Sequence, residues 1–186
     1  MNLIEDMPET EPVSLDDAKA HLRITHDADD DAIAALIKTA RQICEEYTGL
    51  ALIARNCRLY LDAWPKHALS LPKPPLVHVA AVNVYDANGA ATEFPVSGYA
   101  VDIVGRPGRI EMTGTPPWPG QPLSGIEIEF SAGFGNNEDD VPPSLREGIK
   151  RLVAHLYINR GDAPETAIRN SGAAPLFAPH RRMRLS

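Results

Sequence analysis

The sequence has few cysteines, few aromatic residues and no long apolar run. Its two cysteines, Cys44 and Cys57, are too few among 186 residues for a disulfide scaffold or a four-thiolate zinc site. No stretch approaches the roughly 18 apolar residues that a membrane-spanning helix needs. Residues 1–11 are acidic, whereas a signal peptide begins with a basic block followed by an apolar one. These absences predict a cytoplasmic protein with free thiols and no membrane partner.

Basic residues are also scarce, since 18 Lys and Arg stand against 25 Asp and Glu, for a net charge of −7. Nucleic-acid binding through a broad basic face is therefore not expected, because phosphate contacts need clustered Lys and Arg. The charge is unevenly distributed along the chain. Residues 1–46 hold twelve acidic and four basic side chains, whereas residues 180–186 hold three arginines and no acid. One end of the chain is acidic and the other is basic.

The motifs that carry common chemistry are missing. The acidic run Asp27–Asp31 resembles a calcium loop, but the sixth position is Ala32 and the twelfth is Lys38, where glycine and glutamate are needed. We interpret the run as the first turn of a helix. There is no histidine pair with helical zinc spacing, no nucleophile elbow and no phosphate loop. Glu127 and Glu129 alternate on a strand and are expected to face solvent. The sequence predicts no catalytic residue, no metal and no cofactor.

Proline and glycine divide the chain into segments. Ten of the 17 prolines fall between Pro65 and Pro122, and nine of the 13 glycines between Gly89 and Gly135. Because both residues interrupt helices and favour turns, the chain is predicted to be helical, then rich in strands and turns, then helical again. Alternating apolar residues predict strands near 56–61, 76–85, 99–104, 109–112 and 126–130.

Two long segments have one apolar helical face each, and we expect these faces to pack together. The fold class is therefore predicted as α+β, a small helical bundle with an inserted antiparallel β subdomain. The first stripe comprises Ile33, Leu36, Ile37, Ala40, Cys44 and Tyr47, and the second Leu145, Ile149, Leu152, Val153, Leu156 and Tyr157. The expected divisions are a flexible acidic N-terminus (1–12), N-terminal helices (13–50), the β subdomain (51–135), a long helix (140–161) and a flexible C-terminal tail (162–186).

The C-terminal tail combines apolar side chains with arginines. Aromatic residues, methionine and arginine are enriched at protein interfaces, so this segment is predicted to dock on a partner. A frayed terminus is the alternative. The predicted partner-binding residues are Leu176, Phe177, Arg181, Arg182, Met183, Arg184 and Leu185.

Seven segments in order give the chain a family resemblance. They are Val13–Arg23, Glu46–Leu52, Leu71–Leu76, Phe130–Gly135, Val141–Arg146, Leu152–Arg160 and Leu176–Arg182. Together they resemble the small head–tail connector, or adaptor, proteins of long-tailed bacteriophages and phage-derived gene transfer agents. The last segment is similar to the family's Leu-x-x-Pro-Tyr-Arg ending, with His180 in place of the tyrosine.

The resemblance implies a structural virion assembly protein without catalytic residues. Such a protein forms a ring, commonly of twelve copies, beneath the portal and joins the DNA-filled head to the stopper or tail-completion protein. The implied location is the head–tail interface of a virion, preceded by the host cytoplasm, and the free protein can be a monomer. DNA would pass through the channel without specific binding, since acidic side chains repel phosphate.

Two hypotheses follow for the ring. The acidic front of one copy, residues 1–46, could meet Arg146, Lys150 and Arg151 of its neighbour. The tail would dock on the portal, so truncation at Gly172 is expected to abolish portal binding and leave the fold intact. Two other functions stay open: a small hydrolase whose site is assembled from distant residues, and another virion or host binding module.

Overall fold

The computed structural model describes residues 1–181 and divides into two compact units. The β unit comprises Met1–Pro8 and Ala54–Phe134, and the helical unit comprises Glu9–Ile53 and residues 135–181. Within the described residues the chain forms five α-helices and eight strands, and the strands pair antiparallel within their sheets. The predicted α+β class is confirmed.

The helical unit is built on two long helices. Ser14 caps the first short helix, because its side-chain oxygen accepts a hydrogen bond from the Asp17 backbone N–H at 3.2 Å. The longest helix ends at Gly49, whose φ of +76° is the left-handed conformation that glycine adopts without strain. The helices are α1 (Leu15–Leu22), α2 (Asp30–Thr48), α3 (Pro143–Ile158), α4 (Pro164–Asn170) and α5 (Ala174–Phe177).

The apolar faces of α2 and α3 pack against each other, which confirms the predicted pairing of the two stripes. Ile33 and Cys44 of α2 and Leu145 and Leu152 of α3 are fully buried. Burying a side chain of leucine or isoleucine size stabilises a fold by about 1.5–3 kcal/mol each, so this seam is the main core of the helical unit.

A buried ion pair fastens residues 9–13 to α2. The Arg41 side chain is only 2% exposed, and its Nε donates to Glu11 Oε2 at 2.8 Å. Its Nη1 donates to Glu45 Oε2 at 3.1 Å, while the other Glu45 oxygen accepts from the Leu52 backbone N–H at 3.0 Å. Buried charges are tolerated when paired in this way. The network therefore holds the segment before α1 in place.

The β unit contains a five-stranded and a three-stranded sheet. Ile126, Ile128 and Phe130 on the central strand are buried, and their partners Leu61, Leu59 and Cys57 are buried beside them. The larger sheet has the order β1 (Asn2–Glu5), β2 (Arg55–Leu61), β8 (Ile126–Ala132), β4 (Leu76–Tyr85) and β5 (Ala91–Glu93). The smaller sheet has the order β3 (Leu69–Ser70), β7 (Arg109–Met112) and β6 (Tyr99–Asp102).

Both terminal segments differ from the expectation of flexibility. In residues 1–12, the strand β1 pairs with β2, and Glu5 lies 3.1 Å from the Lys73 ammonium and 3.5 Å from the Arg55 guanidinium. In residues 162–181 the chain forms α4 and α5, and the Phe177 side chain is fully buried. Both corrections have the same cause, since strand pairing and ring burial depend on residues that are distant in the sequence.

Candidate functional site

The C-terminal segment is the site predicted from sequence, and its aromatic residue faces inward. The Phe177 ring packs directly over Gly148 of α3, and its centre lies 6.1 Å from that of the Tyr47 ring on α2. Phe177 is therefore part of the helical core, and the expectation that it anchors a partner is corrected. A glycine inside a helix costs about 1 kcal/mol relative to alanine, so Gly148 was the sequence signal for this close approach.

The next residues hold the segment on the surface of the same unit. Ser144 Oγ and His180 Nε2 lie 2.8 Å apart, and the Arg181 guanidinium sits over the Tyr47 ring at 5.2 Å from its centre. An arginine over an aromatic face is attracted by the ring electrons. Leu176 is half-buried and Arg181 is exposed, so both present surface. The predicted residues Arg182, Met183, Arg184 and Leu185 lie outside the described residues.

The basic residues expected to meet a neighbouring copy are paired within the chain. The Arg146 guanidinium lies 2.7 Å from Asp139, 3.5 Å from Glu138 and 3.6 Å from Asp17 of the acidic front. Thus Arg146 already pairs with the front of its own chain, and its contact with a neighbouring copy stays a hypothesis.

The other two basic residues share one carboxylate. Lys150 and Arg151 lie 3.5 Å and 3.1 Å from Glu147. Partial burial acts to raise the pKa of Glu147, but the Arg151 hydrogen bond and the Lys150 charge outweigh it and hold that pKa below its usual value. Both cations are therefore also engaged inside the chain.

Two carboxylates of the acidic run at the start of α2 share one lysine. Lys19 Nζ donates to Asp27 and to Asp30, each at 2.7 Å. Both hydrogen bonds raise the pKa of Lys19. The bond between Lys19 and Asp27 also lowers the pKa of Asp27. Within residues 1–181 there is no group of three His, Cys, Asp or Glu side chains that could hold a metal ion. Through Lys19, the run links the end of α1 to the start of α2.

Glu127 is buried, which corrects the expectation that it faces solvent. The Tyr60 hydroxyl of β2 donates to one of its oxygens at 2.7 Å, and the Tyr85 hydroxyl of β4 donates to the other at 2.5 Å. These hydrogen bonds, together with partial burial, raise the pKa of Tyr60 and raise the pKa of Tyr85 to about 12. The carboxylate therefore ties three neighbouring strands together across the sheet.

The two thiols are poor nucleophiles in this fold. Burial raises the pKa of Cys57 to about 11, with a further contribution from the Glu5 charge, and burial also raises the pKa of Cys44. The thiolate is the reactive form of cysteine, so both side chains are expected to be unreactive. Among the helices in residues 1–181, none is both long and apolar enough to cross a bilayer.

The comparisons with known proteins agree on one class. A family model described as phage gp6-like head-tail connector protein matches residues 12–104, half of the chain. A chain in the neck of an empty gene transfer agent particle, computed with C6 symmetry, is 28% identical with a TM-score of 0.84. A chain in the virion of a native gene transfer agent particle is 28% identical with a TM-score of 0.83.

A third similar chain comes from the neck of a native particle computed with C12 symmetry, at 27% identity and a TM-score of 0.76. Each of the three similarities covers 100% of this chain and 98% of the other. No curated protein sequence matches the chain.

Proposed function

The chain belongs to the family of phage gp6-like head-tail connector proteins, and we propose that it is a structural connector in the neck of a phage or gene transfer agent particle. The observation that carries this proposal is the similarity over the full chain to chains in gene transfer agent necks. Its location would be the head–tail interface of the virion, after synthesis in the host cytoplasm.

The connector would act as a ring of identical copies. The related necks were computed with C6 and C12 symmetry, and a twelve-membered ring is compatible with both. Copies related by rotation use unlike surfaces on each side, and such contacts close into a ring. A net charge of −7 suits a channel through which DNA moves without binding, because a surplus of carboxylates repels phosphate.

We assign the portal-binding role to the C-terminal segment. Leu176 and Arg181 are presented at the surface of the helical unit, and the apolar and basic residues Arg182, Met183, Arg184 and Leu185 follow them directly. Phe177 contributes by holding the segment on α3 rather than by touching the portal. The stopper or tail-completion protein would bind elsewhere on the ring. Residues 1–181 give no support to the hydrolase alternative, since burial raises the pKa of both thiols and Glu127 is held by two tyrosines.

Negative-stain microscopy of the protein mixed with its portal protein tests this function. We expect rings stacked on the portal for the full chain, and loss of stacking when the chain stops after Arg181. The matched control is Val96→Ser, which changes an exposed side chain of the β unit and is expected to leave stacking intact. Absence of stacking with the full chain would contradict the connector function. Stacking by the shortened chain would contradict the portal-binding role of residues 182–185.

A further inference from the structure

The helical unit has an open apolar groove on its surface. Its volume is about 590 Å³, and its walls are the segment before α1, the first half of α2 and the turn at residues 137–139. Val13, Leu15, Ala34 and Ile37 supply the apolar lining. The walls are fixed, because the Ser14 backbone N–H donates to Glu138 at 3.1 Å. We name this feature the helical groove.

Carboxylates are in excess around the helical groove. On one side Arg146 is shared by Asp17, Glu138 and Asp139, and on the other Arg41 is shared by Glu11 and Glu45. Three of these acids, Glu11, Glu138 and Asp139, line the groove, whereas Lys38 is the one cation in its lining among the described residues. An occupant with an apolar body and a positive charge would fit both the lining and the rim.

The β unit presents a segment with that chemistry at the tip between β6 and β7. Ile103 and Val104 are 54% and 87% exposed, and Arg106 next to them is also exposed. Among the described residues no carboxylate forms an ion pair with Arg106. The tip is held in shape by Asp102, whose Oδ1 accepts from the Val104 and Gly105 backbone N–H groups at 3.0 Å and 2.8 Å. Ile103, Val104 and Arg106 thus give this ordered tip both exposed apolar side chains and a positive charge.

We propose that the helical groove of one copy binds the β6–β7 tip of the neighbouring copy in the ring. Val104 and Ile103 enter the apolar lining, and Arg106 faces the carboxylates Glu138 and Asp139. A tip on one side and a groove on the other form a heterologous contact, so each copy binds two neighbours. A preorganised tip loses little conformational entropy on docking. This inference rests on the proposed ring and names the surfaces that build it.

Site-directed cross-linking of the full chain, mixed with its portal protein so that rings assemble, tests the contact. Lys38→Cys marks the groove and Val104→Cys marks the tip, and a short bis-maleimide joins thiols that come close. The native thiols are buried and have raised pKa values, so they interfere little. We expect mixed Lys38→Cys and Val104→Cys proteins to give a heterodimer, and the chain with both substitutions to give a ladder of higher oligomers.

Val96→Cys is the matched control, because Val96 is another valine of the β unit with 68% exposure. Paired with Lys38→Cys, it should cross-link only at the level of random collision. Arg106→Glu should lower the yield of the Lys38–Val104 product about tenfold, and Asp139→Lys in the partner should restore it. Asp139 is 86% exposed, so the loss of its surface ion pair with Arg146 is expected to cost the fold little.

The outcomes separate the contact from the function. A Lys38–Val104 yield no higher than that of Lys38–Val96 would overturn the proposed contact. Rings stacked on the portal that still lack this cross-link would overturn the contact and leave the connector function standing. The groove could instead hold the chain's own C-terminal segment. In that case stopping the chain after Arg181 would change the cross-link yield and Arg106→Glu would not. This result would also overturn the proposal.

Discussion

The Phe177 ring lies directly on Gly148, so that a methyl group at position 148 would overlap the ring. This contact joins the C-terminal helix α5 to the middle of α3, and Phe177 is fully buried. It explains why a glycine is found inside a helix whose other core positions are large and apolar. It also turns the last part of the described chain into a structural element of the helical unit.

We predict that Gly148→Ala destabilises the protein, although alanine is the better helix former. Helix propensity favours alanine by about 1 kcal/mol, but overpacking a filled core costs about 1–3 kcal/mol. The free energy of unfolding, measured by urea denaturation, should therefore fall. In a Phe177→Ala background the overlap is gone, so the same substitution should raise stability. An equal effect of Gly148→Ala in both backgrounds would show that the ring does not restrict position 148.

Periodicity predicted the parts of the fold that depend on neighbours in sequence. Apolar spacing within a short window predicted the apolar faces of α2 and α3. It also predicted the strands β2, β4, β7 and β8. The strand β1 was missed because Asn2–Glu5 has no alternating pattern and is held by pairing with β2. Pairing partners that lie more than fifty residues away leave no signal in a short window.

The candidate site was predicted in part. The composition of the tail identified the segment, but the roles of its residues depend on what faces them. Phe177 is buried because Gly148 leaves room for it, and Glu127 is buried because Tyr60 and Tyr85 come from strands on both sides. Neither relation can be derived from one strand or one helix alone. The helical groove joins three segments of the chain and was not predicted for the same reason.

The Glu127 cluster predicts a loss of stability at alkaline pH. The hydrogen bond to Glu127, together with burial, raises the pKa of Tyr85 to about 12 in the folded state, against about 10 in an unfolded chain. Between these values Tyr85 loses its proton more readily in the unfolded chain than in the folded one. The contribution of Tyr85 to the free energy of unfolding is therefore fully present below pH 10 and falls as the pH rises toward 12. Denaturation midpoints measured across this range should decrease, and Tyr85→Phe should decrease less steeply.

Glu127→Gln tests the cause of that alkaline behaviour. The amide keeps the size of the side chain but removes the charge that opposes tyrosinate formation. Tyrosine ionisation, followed by near-ultraviolet absorbance, should then occur at lower pH than in the unmodified protein. An unchanged titration curve would rule out Glu127 as the group that raises the pKa of Tyr60 and Tyr85. Glu129→Gln is the matched control on the same strand, and it should change the curve less.

The buried Arg41 predicts a large effect of a single substitution. Arg41→Met removes the cation between Glu11 and Glu45 and leaves the nearly inaccessible Glu45 carboxylate without this partner. Breaking one side of a buried ion pair costs about 3–5 kcal/mol. Adding Glu45→Gln removes the buried charge that faced Arg41 and keeps an acceptor for the Leu52 backbone N–H, so part of the stability should return. Thermal denaturation of both variants checks this, and the idea fails if the double variant is the less stable one.

Truncation at two positions separates the structural role of the C-terminal segment from its docking role. A chain that stops after Gly172 loses Phe177 and its contact with Gly148, and removing a buried phenylalanine costs about 3–5 kcal/mol. That chain should melt at a clearly lower temperature, so we no longer expect this cut to leave the fold intact. A chain that stops after Arg181 keeps Phe177, the His180–Ser144 contact and Arg181 over Tyr47, so its melting temperature should stay unchanged. Equal melting temperatures for the two chains would mean that α5 adds no stability, and portal binding could then be tested with either cut.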